Sequence, residues 1–135
     1  MQTVITFESS AFNTSENKEY FINPGCFGDD LAKWLIAALR NAGLVTDAEP
    51  DQEDFGWYFE FNVPEGRHCV VLGFRPEDPE PNGCWIVWLE RSRGLLGSLL
   101  GGRQRGIAPT AVAALDAALR APEIRNLQWH NKKDF

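Results

Sequence analysis

A strictly alternating stretch of large apolar residues constrains the fold of this chain more than any other feature. These residues occupy every second position: Phe55, Trp57, Phe59, Phe61 and Val63. Successive side chains of a β-strand point to opposite faces, so all five would share one face. The residues between them are small or polar. The stretch 55–63 therefore predicts a half-buried β-strand whose aromatic face belongs to the core.

The length and composition fit one globular domain. A chain of 135 residues, 44% of them hydrophobic, can bury a single core without disulfides or metal. No apolar run approaches the ~20 residues of a membrane span. The first eight residues lack the basic and long apolar regions of a signal peptide. We therefore expect a single cytoplasmic domain, residues 1–135, with no membrane partner.

Helix and strand patterns alternate along the chain. Apolar residues at helical spacing predict a helix over about 28–42, and Pro109 begins a second predicted helix that reaches about Ala121. Further strands are predicted at 3–8, 68–74, 84–90 and 124–130. The order β-α-β-β-β-α-β predicts an α+β domain with a single, largely antiparallel sheet and two packed helices. The last strand is expected at an edge or beside the first.

The same patterns identify the residues expected to be mostly buried. These are Trp34, Trp57, Phe59, Phe61, Leu72, Ile86 and Trp88. The strand at 84–90 is apolar on both faces, which is typical of a central strand that is covered on each side.

A series of short landmarks runs through nearly the whole chain. They are Phe7-Glu8-Ser9-Ser10-Ala11-Phe12, Asn23-Pro24-Gly25 with Gly28, Leu31-Ala32-x-Trp34-Leu35, Glu53-Asp54-Phe55-Gly56-Trp57, Trp85 with Trp88, and Ile124-Arg125 with Trp129. In these landmarks the chain resembles a family of small bacterial proteins of unknown function. Similar sequences often have Asp-Trp-Gly-Trp where this chain has Asp54-Phe55-Gly56-Trp57. The resemblance implies an α+β domain of bacterial origin and provides no catalytic residues.

Charge is distributed unevenly over the sequence. The net charge is −6, with −10 over residues 1–80 and +4 over residues 81–135. Such asymmetry favours a dipolar surface that steers charged partners, unless the fold mixes the two halves over one surface.

An acidic loop at 47–54 is the first candidate site. Its carboxylates are Asp47, Glu49, Asp51, Glu53 and Asp54. A concentrated negative charge can complement the basic cleft of a partner. The alternative is that the loop only solvates the entrance to the strand at 55–63.

An arginine-rich segment at 91–108 is the second candidate site. Arg91, Arg93, Arg103 and Arg105 flank a Gly/Leu-rich middle, and this predicts a mobile loop with one helical turn at 95–100. Guanidinium groups without neighbouring carboxylates suit an anionic ligand or partner. The pI of 4.9 and the lack of a nucleic-acid motif argue against nucleic acid. A solvated connector, or an apolar contact through the leucines at 95–100, are the alternatives.

The cysteines and histidines do not form a metal or catalytic motif. An odd number of cysteines leaves at least one thiol outside any disulfide: Cys26, Cys69 and Cys84. Neither these cysteines nor His68 and His130 have the C-x₂-C or H-x₃-H spacing of structural zinc. We therefore expect reduced cysteines, no metal and no cofactor. Adjacent His68 and Cys69 should project to opposite sheet faces.

Two pairs of adjacent carboxylates complete the search for chemistry. Glu53 with Asp54, and Asp29 with Asp30, could each act as an acid–base pair. A solvated loop and a helix N-terminus are the simpler interpretations. The Asn23–Gly28 loop lacks the Lys-Ser/Thr of a phosphate-binding loop.

These observations favour a non-enzymatic protein-interaction domain, of the kind that acts as an immunity or antitoxin-like inhibitor of a basic bacterial toxin. The alternative from another class is a small enzyme or binding protein that takes an anionic ligand at the arginine-rich segment. A structural accessory subunit is the third hypothesis.

Overall fold

A computed structural model describes residues 1–54, 56–76, 83–92 and 106–135. They form six β-strands and two α-helices, numbered here in chain order. The strands are β1 Gln2–Glu8, β2 Asp51–Glu53, β3 Gly56–Val63, β4 Gly66–Arg75, β5 Cys84–Arg91 and β6 Arg125–Asn131. The helices are α1 Asp29–Asn41 and α2 Pro109–Leu119, and a 3₁₀ turn, Lys132–Asp134, follows β6. No helix in these ranges is long and apolar enough to cross a membrane.

All six strands join one antiparallel sheet in the order β2-β3-β4-β5-β1-β6. The predicted α+β class, with one antiparallel sheet and two helices, is confirmed. β6 lies at an edge and pairs with β1. The predicted order is wrong by one strand, because β2 lies between α1 and β3.

β2 forms within the segment for which the sequence predicts a loop. Its three residues pair with residues 56–58 of β3, and Thr46 makes an isolated bridge to Phe61 farther along β3. Aspartate and glutamate have low strand propensity, so this pairing comes from the neighbouring strand β3 and not from the local sequence. The segment 46–53 is therefore an interrupted strand along the outer edge of β3.

The alternating stretch of β3 lies at the centre of the core. Trp57, Phe59, Phe61 and Val63 are buried in a cluster with apolar residues of both helices, whereas Phe55 lies outside the described residues. Deletion of one such side chain removes several kcal/mol of stability in a typical core.

Two tryptophans of the predicted core are only half-buried. Trp34 of α1 lies at the margin of the core, where its ring packs edge-on against Phe12 at a centroid distance of 5.7 Å. Trp88 lies on the opposite face of the sheet, with the Arg75 guanidinium 5.8 Å from its ring centroid. Leu72 and Ile86 are buried as predicted.

The loop before α1 is tied to β3 through Trp57. Its Nε1–H donates to the carbonyl oxygen of Cys26 at 2.7 Å. Gly28 caps the helix at φ 136°, and a Cβ atom there would lie 2.6 Å from the Leu72 side chain. Glycine is therefore required at the point where the chain crosses the sheet into α1.

Neither of the two described helices packs on the second sheet face, and we call it the helix-free face. Strand register places a continuous row across it, formed by Tyr58, Val71, Trp88, Val4 and His130. Val4 and Val71 of this row are buried. At the end of the row, the Phe135 ring packs on His130 at a centroid distance of 4.8 Å. The face is thus apolar at its centre and polar along its margins.

Candidate functional site

The five predicted carboxylates lie along one edge of the sheet, which we call the acidic edge: Asp47, Glu49, Asp51, Glu53 and Asp54. Asp51 lies directly opposite Tyr58 of β3, so both side chains are on the helix-free face. Burial raises the pKa of the Tyr58 phenol, and the nearby carboxylates of Asp51 and Glu53 raise it further. The acidic edge therefore extends onto the helix-free face.

Asp47 differs from the other four carboxylates because it is engaged within the fold. One of its oxygens accepts from the Arg67 guanidinium at 2.6 Å, and the other accepts from the backbone N–H of Glu60 at 2.9 Å. Arg67 also pairs with the Glu60 carboxylate at 3.1 Å. Asp47 thus fixes the interrupted strand to β3, and its charge is balanced by Arg67.

The other four carboxylates are exposed, namely Glu49, Asp51, Glu53 and Asp54. Within the described ranges none of them forms an ion pair. Asp54 accepts one long hydrogen bond, 3.5 Å, from the Asn23 amide. The negative charge of the acidic edge is therefore concentrated and available to a partner.

Exposed apolar side chains lie beside the acidic edge. Ile22 is 75% exposed, and its backbone N–H donates to the Gln52 side chain of β2 at 2.6 Å. Val45 is 67% exposed, and its carbonyl accepts from Asn62 of β3. A protein interface typically combines apolar anchors with a charged rim, and this edge carries both.

Arg91 is the only one of the four predicted arginines that lies within the described residues. It belongs to β5, and its guanidinium donates to the carbonyl oxygens of Glu65 at 2.8 Å and Gly106 at 3.1 Å. Arg93, Arg103 and Arg105 lie outside the described residues, as do the predicted turn at 95–100 and its leucines. Of the predicted segment 91–108, Arg91 is the last residue of β5, and Ile107 and Ala108 are buried.

The cysteines and histidines are separated by the fold. Cys26, Cys69 and Cys84 form no disulfide within the described residues. His68 is buried on the helix side of β4, whereas Cys69 pairs with Glu60 and Glu90 on the helix-free face. His130 shares a 2.7 Å hydrogen bond with the Thr6 hydroxyl. Within the described ranges no three His, Cys, Asp or Glu side chains are grouped to hold a metal ion.

Asp29 and Asp30 make hydrogen bonds that organise the start of α1. Asp30 accepts from the backbone N–H groups of Asn13 at 2.7 Å and Leu31 at 2.9 Å. The buried Asp29 carboxylate accepts from the Tyr20 hydroxyl, and this bond raises the pKa of Tyr20 to about 12. Both carboxylates therefore have structural partners, which the sequence pattern does not identify.

His68 joins β4 to the start of α2. Ala108, the N-cap of α2, donates its N–H to Nε2 of His68 at 3.0 Å. Nε2 must therefore accept, and the proton of the neutral ring resides on Nδ1. Nδ1–H donates to the Gly66 carbonyl at 3.1 Å. Burial lowers the pKa of His68, and the positive charge of Arg91 lowers it further. A protonated ring would place an N–H group against the Ala108 N–H.

We expect the free energy of unfolding to fall as the pH decreases from about 6.5 toward the lowered folded-state pKa of His68. The unfolded state binds more protons at this site than the folded state does in this window, so stability falls with a slope of at most about 1.4 kcal/mol per pH unit. The contribution of neutral His68 to stability is fully present above the pKa that His68 has in the unfolded state. This pH dependence is measured by urea unfolding between pH 7.5 and 5 of the wild type, His68→Gln and His130→Gln. An undiminished slope in His68→Gln would assign the effect to other groups.

Comparison of the chain with protein-family models, curated protein sequences and solved structures gives no match. The functional argument therefore depends on the surface chemistry of this chain.

Proposed function

We propose that this chain is a non-enzymatic protein-interaction domain that binds a basic protein partner at its acidic edge, as an immunity or antitoxin-like inhibitor binds a bacterial toxin. The observation that carries the proposal is the set of four exposed carboxylates of the acidic edge, which have no ion-pair partner in the described part of the chain. Unpaired charge of one sign raises the association rate with a partner of the opposite sign.

The sheet order adds to this argument because it separates the charges. The acidic edge lies at β2, whereas Arg125, Lys132 and Lys133 lie in or just after β6 at the opposite edge. Five inter-strand spacings separate the two edges by roughly 24 Å along the sheet. This distance exceeds the Debye length of about 8 Å at physiological salt, so the two edges act as separate electrostatic surfaces.

The test begins with identification of the partner by affinity capture from the native host and mass spectrometry. Association rates of the purified pair are then measured at 25 and 300 mM salt. We expect the double charge reversal Asp51→Lys with Glu53→Lys to lower the on-rate about tenfold or more at 25 mM salt, because it removes the long-range attraction. The off-rate should change less, and stability should shift by only about 0.5 kcal/mol.

The matched control is Glu19→Lys with Glu123→Lys. This variant changes the net charge by the same amount at two exposed positions outside the acidic edge. If both double variants slow association equally, net charge and not the acidic edge governs binding. Association that is insensitive to salt and to both variants would contradict the proposal.

The alternative function, an enzyme or binding protein for an anionic ligand at the arginine-rich segment, makes a different prediction. Saturable thermal stabilisation by one nucleotide, sugar phosphate or carboxylate would favour it. The two donor interactions that Arg91 makes with carbonyl groups weigh against this residue as an anion ligand. The interaction hypothesis predicts no such stabilisation by a small anion.

A further inference from the structure

The outer side of β6 is an edge of the sheet that the described residues form. β6 pairs with β1 on one side and has no strand beyond it within the described ranges. Between Leu127 and Asn131 the strand contains neither proline nor a charged residue. Natural proteins usually protect an edge with such residues, since a row of free N–H and C=O groups is a template for another chain. β6 is irregular near its start, where Asn126 is at φ 58° and the register with β1 shifts between Gln128 and Arg125, whereas residues 128–130 pair regularly.

The opposite edge of the sheet provides a contrast. The carbonyl oxygen of Glu53 in β2 accepts from the Asn23 side-chain amide at 3.3 Å, and the thiol of Cys26 lies 3.9 Å from the same oxygen. The loop before α1 thus occupies part of the β2 edge. The main-chain groups of β6 make no such contact within the described residues.

A surface depression with cationic residues lies at each end of β6. The first, of about 290 Å³, is lined by Arg125, Ser9 and Ser10, and also by Glu8, whose carboxylate accepts from the Asn126 amide at 3.0 Å. The second, of about 400 Å³, is lined by Asn131, Lys132, Lys133, Met1 and Thr3.

These cations are only partly compensated, since Glu8 lies opposite Arg125 in the β1–β6 register. Lys132 lies 4.0 Å from the Glu90 carboxylate, whereas Arg125 and Lys133 form no ion pair in the described part of the chain. The seven residues of β6 span about 20 Å. An extended segment of the same length would therefore run from Arg125 at one end of β6 to Lys132 just beyond the other.

We propose that β6 is a docking edge that binds an extended, acidic peptide segment of a protein partner by strand addition. Main-chain hydrogen bonds to β6 would provide affinity, and acidic side chains at the two ends of the segment would lie beside Arg125 at one end and beside Lys132 and Lys133 at the other. This site is distinct from the acidic edge, and it takes a ligand of the opposite charge.

Charge argues for an acidic peptide over a second copy of this chain. Antiparallel pairing of two β6 strands centred on Gln128 would bring Arg125 of each copy opposite Asn131 and next to Lys132 of the other. Like charges across a strand pair destabilise it, whereas carboxylates at the same positions would stabilise it.

The test uses a fluorescent seven-residue peptide with aspartate at both ends and alternating valine and threonine between them. Binding is measured by fluorescence anisotropy, and amide hydrogen exchange of the full chain is followed by NMR. We expect saturable binding with slowed exchange at the outward-facing amides of residues 127–131. A peptide with lysine at both ends, and the acidic peptide N-methylated at alternate amides, should each bind about tenfold more weakly or worse.

Charge reversal of the chain provides the matching control. Arg125→Glu with Lys133→Glu should weaken binding of the acidic peptide about tenfold, whereas Lys18→Glu with Lys33→Glu, which has the same net change, should have a smaller effect. The proposal is overturned by absence of binding at millimolar peptide, by equal binding of the N-methylated peptide, or by protection outside β6. Self-association of the free chain through β6, detected by sedimentation, would also overturn it.

Discussion

Trp57→Ala should lower the free energy of unfolding by about 3–5 kcal/mol, which is the usual cost of deleting a large aromatic side chain from a core. Trp57 is only 5% exposed and packs against Phe21 at a centroid distance of 5.5 Å. It also donates the hydrogen bond that holds the Cys26 carbonyl beside the start of α1. Chemical denaturation at neutral pH measures the loss.

Trp57→Phe separates the two contributions of this residue. It keeps most of the apolar contact and removes the N–H donor, so we expect a loss of about 1–2 kcal/mol. If the phenylalanine variant loses as much as the alanine variant, the hydrogen bond and not packing is the main contribution. An unchanged transition midpoint in Trp57→Ala would contradict the placement of β3 at the centre of the core.

Gly56→Ala should destabilise the fold by about 3 kcal/mol or more, the upper end of overpacking effects. A Cβ atom at this position would lie 2.1 Å from the carbonyl oxygen of Leu72 and 3.0 Å from its carbonyl carbon. These are main-chain atoms of the paired strand β4, so the clash cannot be relieved by a side-chain rotation. The strands β3 and β4 would have to separate locally, and thermal and urea unfolding would both report the loss.

Gly43→Ala is the appropriate comparison. Gly43 follows α1 at φ 91°, and an added Cβ atom would meet no atom within 4 Å. Alanine there incurs only the backbone cost of a left-handed conformation, about 1–2 kcal/mol. A loss at Gly56 no larger than at Gly43 would show that the two strands can accommodate a methyl group.

The parts of the fold that the sequence predicts well are those with a strong local pattern. The period-two alternation predicts β3 to within one residue, and the helical spacing predicts α1 as 28–42 where the structure has Asp29–Asn41. In both elements burial of one face determines the conformation, and burial of one face leaves a periodic signature.

β2 and the half-buried tryptophans depend on tertiary context. The residues of β2 are all polar, and they become a strand because the outer edge of β3 offers unpaired main-chain groups. Trp88 alternates in phase with Ile86, yet it lies where the helix-free face opens to solvent. No local pattern specifies which face of a central strand receives the helices.

The candidate site could be predicted in outline from the charge pattern. Clustered carboxylates at 47–54 indicate an acidic surface, but the sequence does not show that Arg67 neutralises Asp47 and leaves the other four exposed. Arg67 is 20 residues away in the chain and reaches Asp47 only across the β3–β4 pairing. In the same way, the structural roles of Arg91 and His68 depend on carbonyl and amide groups that become neighbours only after folding.

The position of β1 between β5 and β6 has a consequence for the order of folding. β3, β4 and β5 are consecutive in sequence and neighbours in space, so they can form from short-range contacts. β1 contacts residues about 80 and 125 positions away, and its two hydrogen-bonding sides are complete only after residues 125–131 have been synthesised. During translation the first strand must therefore remain unpaired on at least one side until the last strand emerges. This delay predicts that pairing of β6 with β1 is the last step in completing the sheet.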